Sequence, residues 1–227
     1  MVSANQGSQT PKSKSIAIQW FNSYSGVSIK TLGKTLVIDP CVANAKDFGD
    51  VDVVLITHEH HDHFDEAIVK EIFSLTNCMV VADPTTYELI KGIPKTKLVK
   101  ATVGAQLMVG DVQIHVESSH HPPAATPVTY MIVCEGGCAI YHTSDSLPFT
   151  EMSDIGQRFK PDLAFCTIGI APGASPRSGA EIAKLVQPKI AVPYHGSRFS
   201  EFSDILVNEA PQIKSMLLEI GKEYRYP

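Results

Sequence analysis

Apolar and polar residues alternate along this chain with two periods, about two and about 3.6 residues, and the two take turns. Residues 15–20, 27–31 and 35–39 read as three short strands, punctuated by Gly26 and by the turn Leu32-Gly33-Lys34. Residues 51–56 form a near-continuous apolar run rich in β-branched side chains, the pattern of a strand covered on both faces. In 64–73, Phe64, Ala67, Ile68, Ile72 and Phe73 fall at helical spacing, and Asp65 and Glu66 place negative charge where a helix start favours it.

The same alternation continues to the end. Strands are expected at 79–82, 97–100, 105–109 and 112–116, the last two joined by the hairpin signal Gly110-Asp111. A second hairpin pairs 128–133 with 139–142 across Glu135-Gly136-Gly137, and further strands are expected at 163–167 and 190–192. Helices are expected at 84–91, 149–159, 176–186 and 199–208, and a last strand or two around Gly221. No repeat is visible by eye. Strands and helices alternating without a linker predict one α/β domain over residues 15–227, with two sheets inside and helices outside. Residues 1–14, rich in Ser, Gln, Asn and Lys without an apolar centre, read as a disordered tail and not as a secretory signal.

Composition narrows the function classes. Of the 227 residues 44% are apolar and 19% charged, as in ordinary globular proteins. No run approaches the roughly 20 apolar residues of a membrane helix. The net charge of −5 disfavours a nucleic-acid surface. The five cysteines make no Cys-x-x-Cys pair, which predicts reduced thiols packed as small apolar groups and a cytoplasmic setting. Cys134 and Cys138 flank a turn and stand where they can face each other. Lys91, Lys95, Lys97 and Lys100 read as a solvated face.

The chemistry concentrates after the buried run at 51–56. His58-Glu59-His60-His61-Asp62-His63 holds four histidines and two acids in six positions. Imidazole and carboxylate are ligands for Zn²⁺, Mn²⁺ and Fe²⁺. Neither a helix nor a strand turns His58, His60, Asp62 and His63 to one point, but a loop that turns after His60 can aim one pair at one ion and the second pair at a neighbouring ion. Further candidates stand where other expected strands give way to loops: His120 and His121, Asp145 in Thr143-Ser144-Asp145-Ser146, and His195 in Pro193-Tyr194-His195-Gly196. Of the neighbouring histidines, His120 is nearer the expected strand end, with His121 as the substitute. Tyr194, Arg198 and Tyr130 are candidate substrate contacts. The loop at 172–176 is suited either to line a pocket or simply to lead into the next helix. His115 and His142, inside strands, read as structural.

The segment from His58 to His63 resembles the His-x-His-x-Asp-His motif of the metallo-β-lactamase superfamily, and His120, Asp145 and His195 follow in that superfamily's order. Lys34-Thr35-Leu36-Val37-Ile38-Asp39-Pro40 resembles the strand that precedes the motif. The length is most similar to stand-alone hydrolases of the ascorbate-6-phosphate-lactonase-like branch. Many of those carry a Gly-His-Ser turn after the first strand, whereas residues 20–26 here contain no histidine. The resemblance implies a four-layer αββα sandwich with a dinuclear centre at one edge. His58, His60 and His120 would hold one ion, Asp62, His63 and His195 the other, and Asp145 would bridge them. Asp62 would also orient a bridging hydroxide. Glu59 and His61 fill the motif's variable positions. The ions would be Zn²⁺, with Mn²⁺, Fe²⁺ or Ni²⁺ acceptable to the same ligands.

The resulting expectation is a metal-dependent hydrolase acting on a small ester, lactone or phosphoester, with assembly into homo-oligomers left open. Two other functions use the same residues: a nuclease acting on RNA or DNA, and a protein that binds or senses a metabolite without turnover. A di-iron redox centre is a further alternative, although such enzymes usually need a flavin partner domain.

Overall fold

The computed structural model describes residues 15–227. The tail expected at 1–14 lies outside them. The first half contains β1 (Ile16–Trp20), β2 (Val27–Lys30), β3 (Thr35–Ile38), β4 (Val53–Ile56), α1 (Glu66–Thr76), β5 (Met79–Ala82), α2 (Pro84–Leu89) and β6 (Leu98–Lys100). The second half contains β7 (Gln106–Val109), β8 (Val112–Ser118), β9 (Val128–Val133), β10 (Ala139–His142), α3 (Met152–Phe159), β11 (Leu163–Thr167), α4 (Pro176–Val186), β12 (Ile190–Tyr194), α5 (Phe199–Glu209), β13 (Lys214–Ser215) and β14 (Glu223–Tyr226).

Two seven-stranded sheets result, ordered β14-β1-β2-β3-β4-β5-β6 and β13-β12-β11-β10-β9-β8-β7. In each, an antiparallel run gives way to parallel strands linked through helices on the outer face. The path therefore repeats although the sequence does not, because each half has its own side chains filling the same layers. β14 returns to the first sheet and pairs with β1.

Three apolar clusters make this a four-layer αββα sandwich. Ile18, Ile29, Leu36, Leu55, Ile114, Ile132 and Phe165 fill the space between the sheets. Val69 and Ile72 of α1 cover the outside of β3–β5, and Ile182, Phe202 and Leu206 cover β10–β12. β4 is buried at all four positions, as its uninterrupted apolar run predicts. α1 starts on Asp65, whose carboxylate accepts from the Ala67 and Ile68 amides, and α4 starts on a Ser175–Ser178 capping box.

Boundaries shift where sequence punctuation is weak. β8 runs two residues past the expected end at 116, the last strand expected around Gly221 is β14, and the two-residue β13 at 214–215 precedes the stretch where a strand was expected. The short 3-10 turn at Ala45–Phe48 carries no apolar period long enough to predict. No helix among the described residues is long and apolar enough to cross a membrane.

Candidate metal centre

All the ligand-bearing loops leave the same ends of the two sheets. The loop after β4 carries His58 to His63; those after β8, β10 and β12 carry His121, Asp145 and His195. Polar bonds fasten the sheets together here. Tyr130 donates its hydroxyl to the Ile56 carbonyl (2.8 Å), the Val128 amide donates to the Thr57 carbonyl (3.0 Å), and the Ser144 hydroxyl donates to Thr57 Oγ1 (2.8 Å).

Two sets of donor atoms converge: His58, His60 and His121 in one, Asp62, His63, Asp145 and His195 in the other. In the first, His60 Nδ1 lies 3.1 Å from His58 Nε2 and 3.4 Å from His121 Nε2. Ligands of a tetrahedral Zn²⁺ with bonds of roughly 2.0–2.1 Å stand about 3.3 Å apart, so this spacing fits a divalent ion. In the second set, Asp145 Oδ1 lies 3.2 Å from His63 Nε2 and 2.5 Å from His195 Nδ1, and Asp62 Oδ2 lies 3.5 Å from His195 Nε2. His63 Nε2, Asp145 Oδ1 and both His195 nitrogens are buried with no partner of hydrogen-bond geometry among the described residues. Close approach without that alignment makes these electrostatic contacts and leaves the donor atoms for a cation. Asp145 straddles the sets, since its Oδ2 is also 3.8 Å from His121 Nε2.

His121, not His120, occupies the third position of the first set, which corrects the expectation based on nearness to the strand end. β8 extends to Ser118, and the His120 backbone is held by Ser146 Oγ and the Leu147 amide, each at 2.9 Å. Its side chain lines a separate surface hollow with Ser119, Phe149 and Glu151. Pro122 keeps the preceding His121 extended, and the following turn closes on the His121 carbonyl (3.1 Å). Tyr194 is another correction: its side chain is fully buried and its hydroxyl donates to the Ser144 carbonyl (3.0 Å), so it supports the site from behind. Tyr130 is buried in the same way. Arg198 lies outside the cleft lining and pairs on the surface with Glu201 (3.1 Å), so it does not take the expected place beside substrate. His142 is buried against the Ser25 carbonyl (2.9 Å), a structural role, as expected.

A second layer orients the ligands. Asp39 Oδ2 accepts from Ser25, Thr57 and His63 Nδ1, each at 2.8 Å, while Oδ1 accepts the Thr57 amide at 2.8 Å. With its proton held on Nδ1, His63 presents Nε2 to the second set. Because the Thr57 hydroxyl proton is committed to Asp39, Thr57 Oγ1 accepts from His58 Nδ1 (3.1 Å), which turns His58 Nε2 to the first set. The turn that lacks a histidine brings Ser25 onto Asp39 and stands the Tyr24 ring edge-on to His195, with centroids 5.9 Å apart. Sequence reasoning missed the orienting roles of Asp39, Ser25, Thr57 and Ser144. Only Asp39, an acid ending an apolar strand before proline, carried a signal.

The protein's own charges polarise the site. Burial opposes charge on His63, but Asp145 and Asp39 on either side raise it to about 10. Burial pushes His58 well down and His121 down, which favours neutral rings that keep a lone pair. Burial pushes Asp62 and Asp145 up, but the surrounding histidines outweigh it and hold both carboxyls below their usual range, Asp62 at about 2. Asp39, Ser144, Ile170 and His195 all have positive φ, between 45° and 52°, a concentration of backbone strain around one site.

The donor atoms open on a cleft of about 310 Å³. Its floor is His60, Asp62, His121 and Asp145; its walls are His61, Pro123, Ile170, Ala171 and Pro172. The loop that was suited either to line a pocket or to lead into α4 does both. A larger cavity of about 770 Å³ beside Phe21, Val42 and Phe48 contains none of the donor residues.

Two packed sheets with His/Asp donor sets at one edge define a metallohydrolase. The family model described as Beta-lactamase superfamily domain matches residues 17–195. A UPF0173 metal-dependent hydrolase of Caldivirga maquilingensis is 26% identical over 92% of this chain and 98% of its own. The UPF0173 protein of Pyrococcus furiosus is 32% identical over 76% of this chain and 80% of its own. The chain belongs to the β-lactamase superfamily and, within it, to the UPF0173 metal-dependent hydrolases. Its fold is shared with Igni18, a metallo hydrolase of Ignicoccus hospitalis, at a TM-score of 0.81 and 23% identity over 94% of this chain and 99% of that one. An isothiocyanate hydrolase from Delia radicum gut bacteria aligns at a TM-score of 0.72 and 15% identity over 92% and 98%. The narrower likeness to the lactonase-like branch rests on sequence features alone.

Proposed function

We propose that the protein hydrolyses a small ester or lactone with two divalent ions, Zn²⁺ first among them. His58, His60 and His121 hold one ion, Asp62, His63 and His195 the other, and Asp145 serves both. The observation that carries this reading is the pair of convergent donor sets joined by Asp145, with buried ring nitrogens and a carboxylate oxygen left without hydrogen-bond partners at the foot of a cleft. Bound there, the ions supply Lewis acidity, lowering the pKa of a water and polarising the scissile carbonyl.

The chain's own groups do the rest. Asp39 and Thr57 fix the ring orientations of His63 and His58, so the donor sets are in place before substrate arrives. Of the two ligand carboxylates on the cleft floor, Asp62 is the more exposed, its side chain at 13% against 3% for Asp145. It is placed to accept the proton of the attacking water. The water oxygen bonds to the acyl carbon, the acyl–oxygen bond breaks, and the departing alkoxide takes up that proton. A 310 Å³ cleft at the low end of the usual range for ligand pockets suits a small molecule better than a nucleic-acid strand. The five cysteines, all buried and in no disulfide, go with a cytoplasmic setting.

The test is hydrolysis of p-nitrophenyl esters and simple lactones by protein loaded with Zn²⁺ or Mn²⁺, alongside metal analysis. Two ions per chain and turnover that vanishes in His60→Ala and Asp145→Ala are expected. Bound metal without turnover on any ester or lactone would favour the binding or sensing alternative.

A further inference from the structure

Ile170 stands in a place that folding alone does not favour. It is β-branched and held at φ 45°, a region such side chains rarely enter, and 54% of it is exposed. Both features cost stability, and the side chain lines the metal cleft. Strain of this kind at a cleft wall points to a use.

The loop is also built to hold that side chain still. On one side, Gly169 lies against Gly196, just after the ligand His195: a Cβ on Gly196 would meet the Gly169 amide nitrogen at 2.7 Å. On the other, the Ala174 amide closes a turn onto the Ala171 carbonyl (2.9 Å), and Ser175 caps α4. Two prolines, Pro123 and Pro172, share the cleft wall with Ile170. Among the described lining residues there is no Lys or Arg; His61 is the one side chain outside the ligand sets able to carry positive charge. The walls thus offer apolar contact and almost no means of pairing a charged substituent.

We propose that Ile170 is the specificity-determining residue of the cleft, and that the substrate is an uncharged acyl compound whose apolar chain lies against Ile170, Pro172 and Pro123. This rests on the metal-centred hydrolase reading above and deepens it by naming the acyl side of the ester or lactone that the cleft wall receives. The water oxygen adds to an acyl carbon, and the apolar acyl chain remains on the wall as the alcohol leaves.

The experiment is calorimetric binding of three hydroxamates to the Zn²⁺-loaded full chain: acetohydroxamate, hexanohydroxamate and the monohydroxamate of adipic acid. The hydroxamate anchors at the metals and the tail reports on the wall. Hexanohydroxamate should bind at least about tenfold tighter than acetohydroxamate, as partial burial of four methylenes implies. The adipic compound, of equal length but ending in a carboxylate, should lose that gain. In Ile170→Asn, where Asn is at ease at positive φ, the alkyl gain should fall to within about twofold, and Ile170→Leu should keep most of it. Unchanged zinc content and far-ultraviolet circular dichroism should accompany both variants. An alkyl gain below about twofold in the unmodified protein, a gain that survives Ile170→Asn, or equal binding of the adipic compound overturns the inference. An intact alkyl gain without hydrolysis of p-nitrophenyl butyrate sinks the hydrolytic reading and leaves the binding inference standing. Failure of all three ligands to bind sinks both.

Discussion

Asp39→Asn separates orientation of the metal ligands from simple packing. The carboxylate is fully buried and accepts four hydrogen bonds, three of them on Oδ2. An asparagine keeps the volume and can retain the Thr57 amide on its carbonyl oxygen. Its amide nitrogen must then face the Ser25 and Thr57 hydroxyls and His63 Nδ1. The hydroxyls can rotate to accept instead, but His63 can accept only by moving its proton to Nε2, the nitrogen that faces Asp145 at 3.2 Å. The ring is then in the wrong tautomer to bind a cation. Losing one charge-assisted bond costs about 1.5–3 kcal/mol, partly recovered by the hydroxyls, so metal-free stability should fall by about 1–3 kcal/mol. The effect on the metal should stand out: loss of an orienting partner weakens affinity about 10–100-fold, or about 1.4–2.7 kcal/mol. Competition against a chromogenic chelator measures the second, and urea unfolding in chelator measures the first. A variant that loses stability yet binds both ions as tightly as the unmodified protein would refute the orienting role of Asp39.

Three further outcomes are expected. His121→Ala should lose one of two ions by metal analysis while His120→Ala retains both; the reverse pattern would return the third position to His120. Gly196→Ala drives a methyl into the Gly169 backbone, so the melting temperature should drop by an amount equivalent to about 1–3 kcal/mol, with weaker metal retention because His195 is adjacent. Asp162 is buried, which pushes its carboxyl up, but the Lys189 ammonium (2.6 Å), the Ala139 amide (3.0 Å) and the Tyr226 hydroxyl (3.1 Å) carry it below the usual range. A depressed folded value means stability that is complete above the unfolded value of about 3.9 and lost as pH falls through the folded one. The urea-midpoint difference between the unmodified protein and Asp162→Asn should therefore be constant above about pH 5 and narrow only below about pH 4; a difference that widens on acidification would contradict it.

Most of the fold was legible because its signals are local. The buried run ending at Ile56, the Gly110-Asp111 hairpin and the apolar spacing of α1 and α4 each fix an element without knowledge of the rest. The first ligand loop was legible for the same reason, since four donors lie in six consecutive positions. The choice between His120 and His121 was not, because it depends on how far β8 remains paired with β9, which the Glu117–Thr129 and Ser118–Val128 pairs decide. Nor was the fate of Tyr194 legible: a tyrosine beside a ligand histidine reads as exposed chemistry until the sheet places it inward. Ser25, Thr57 and Ser144 are ordinary polar residues in sequence, and only the meeting of two sheets makes them a network. Ile170 gave no signal, since a backbone angle is not written in residue type.

The ligand loops belong to both sheets, and this has a mechanical consequence. His58, His60, Asp62 and His63 come from the first sheet, His121, Asp145 and His195 from the second, so each donor set draws on both. A bound ion would thus act as a rivet through the edge of the sandwich, tying residue 58 to 121 and residue 63 to 195 across long stretches of chain. Closing loops of that length through a cation removes unfolded-state freedom much as a crosslink does. Stripping the metal would do more than silence chemistry: it would leave this edge to the hydrogen bonds that Tyr130, Val128 and Ser144 make across it.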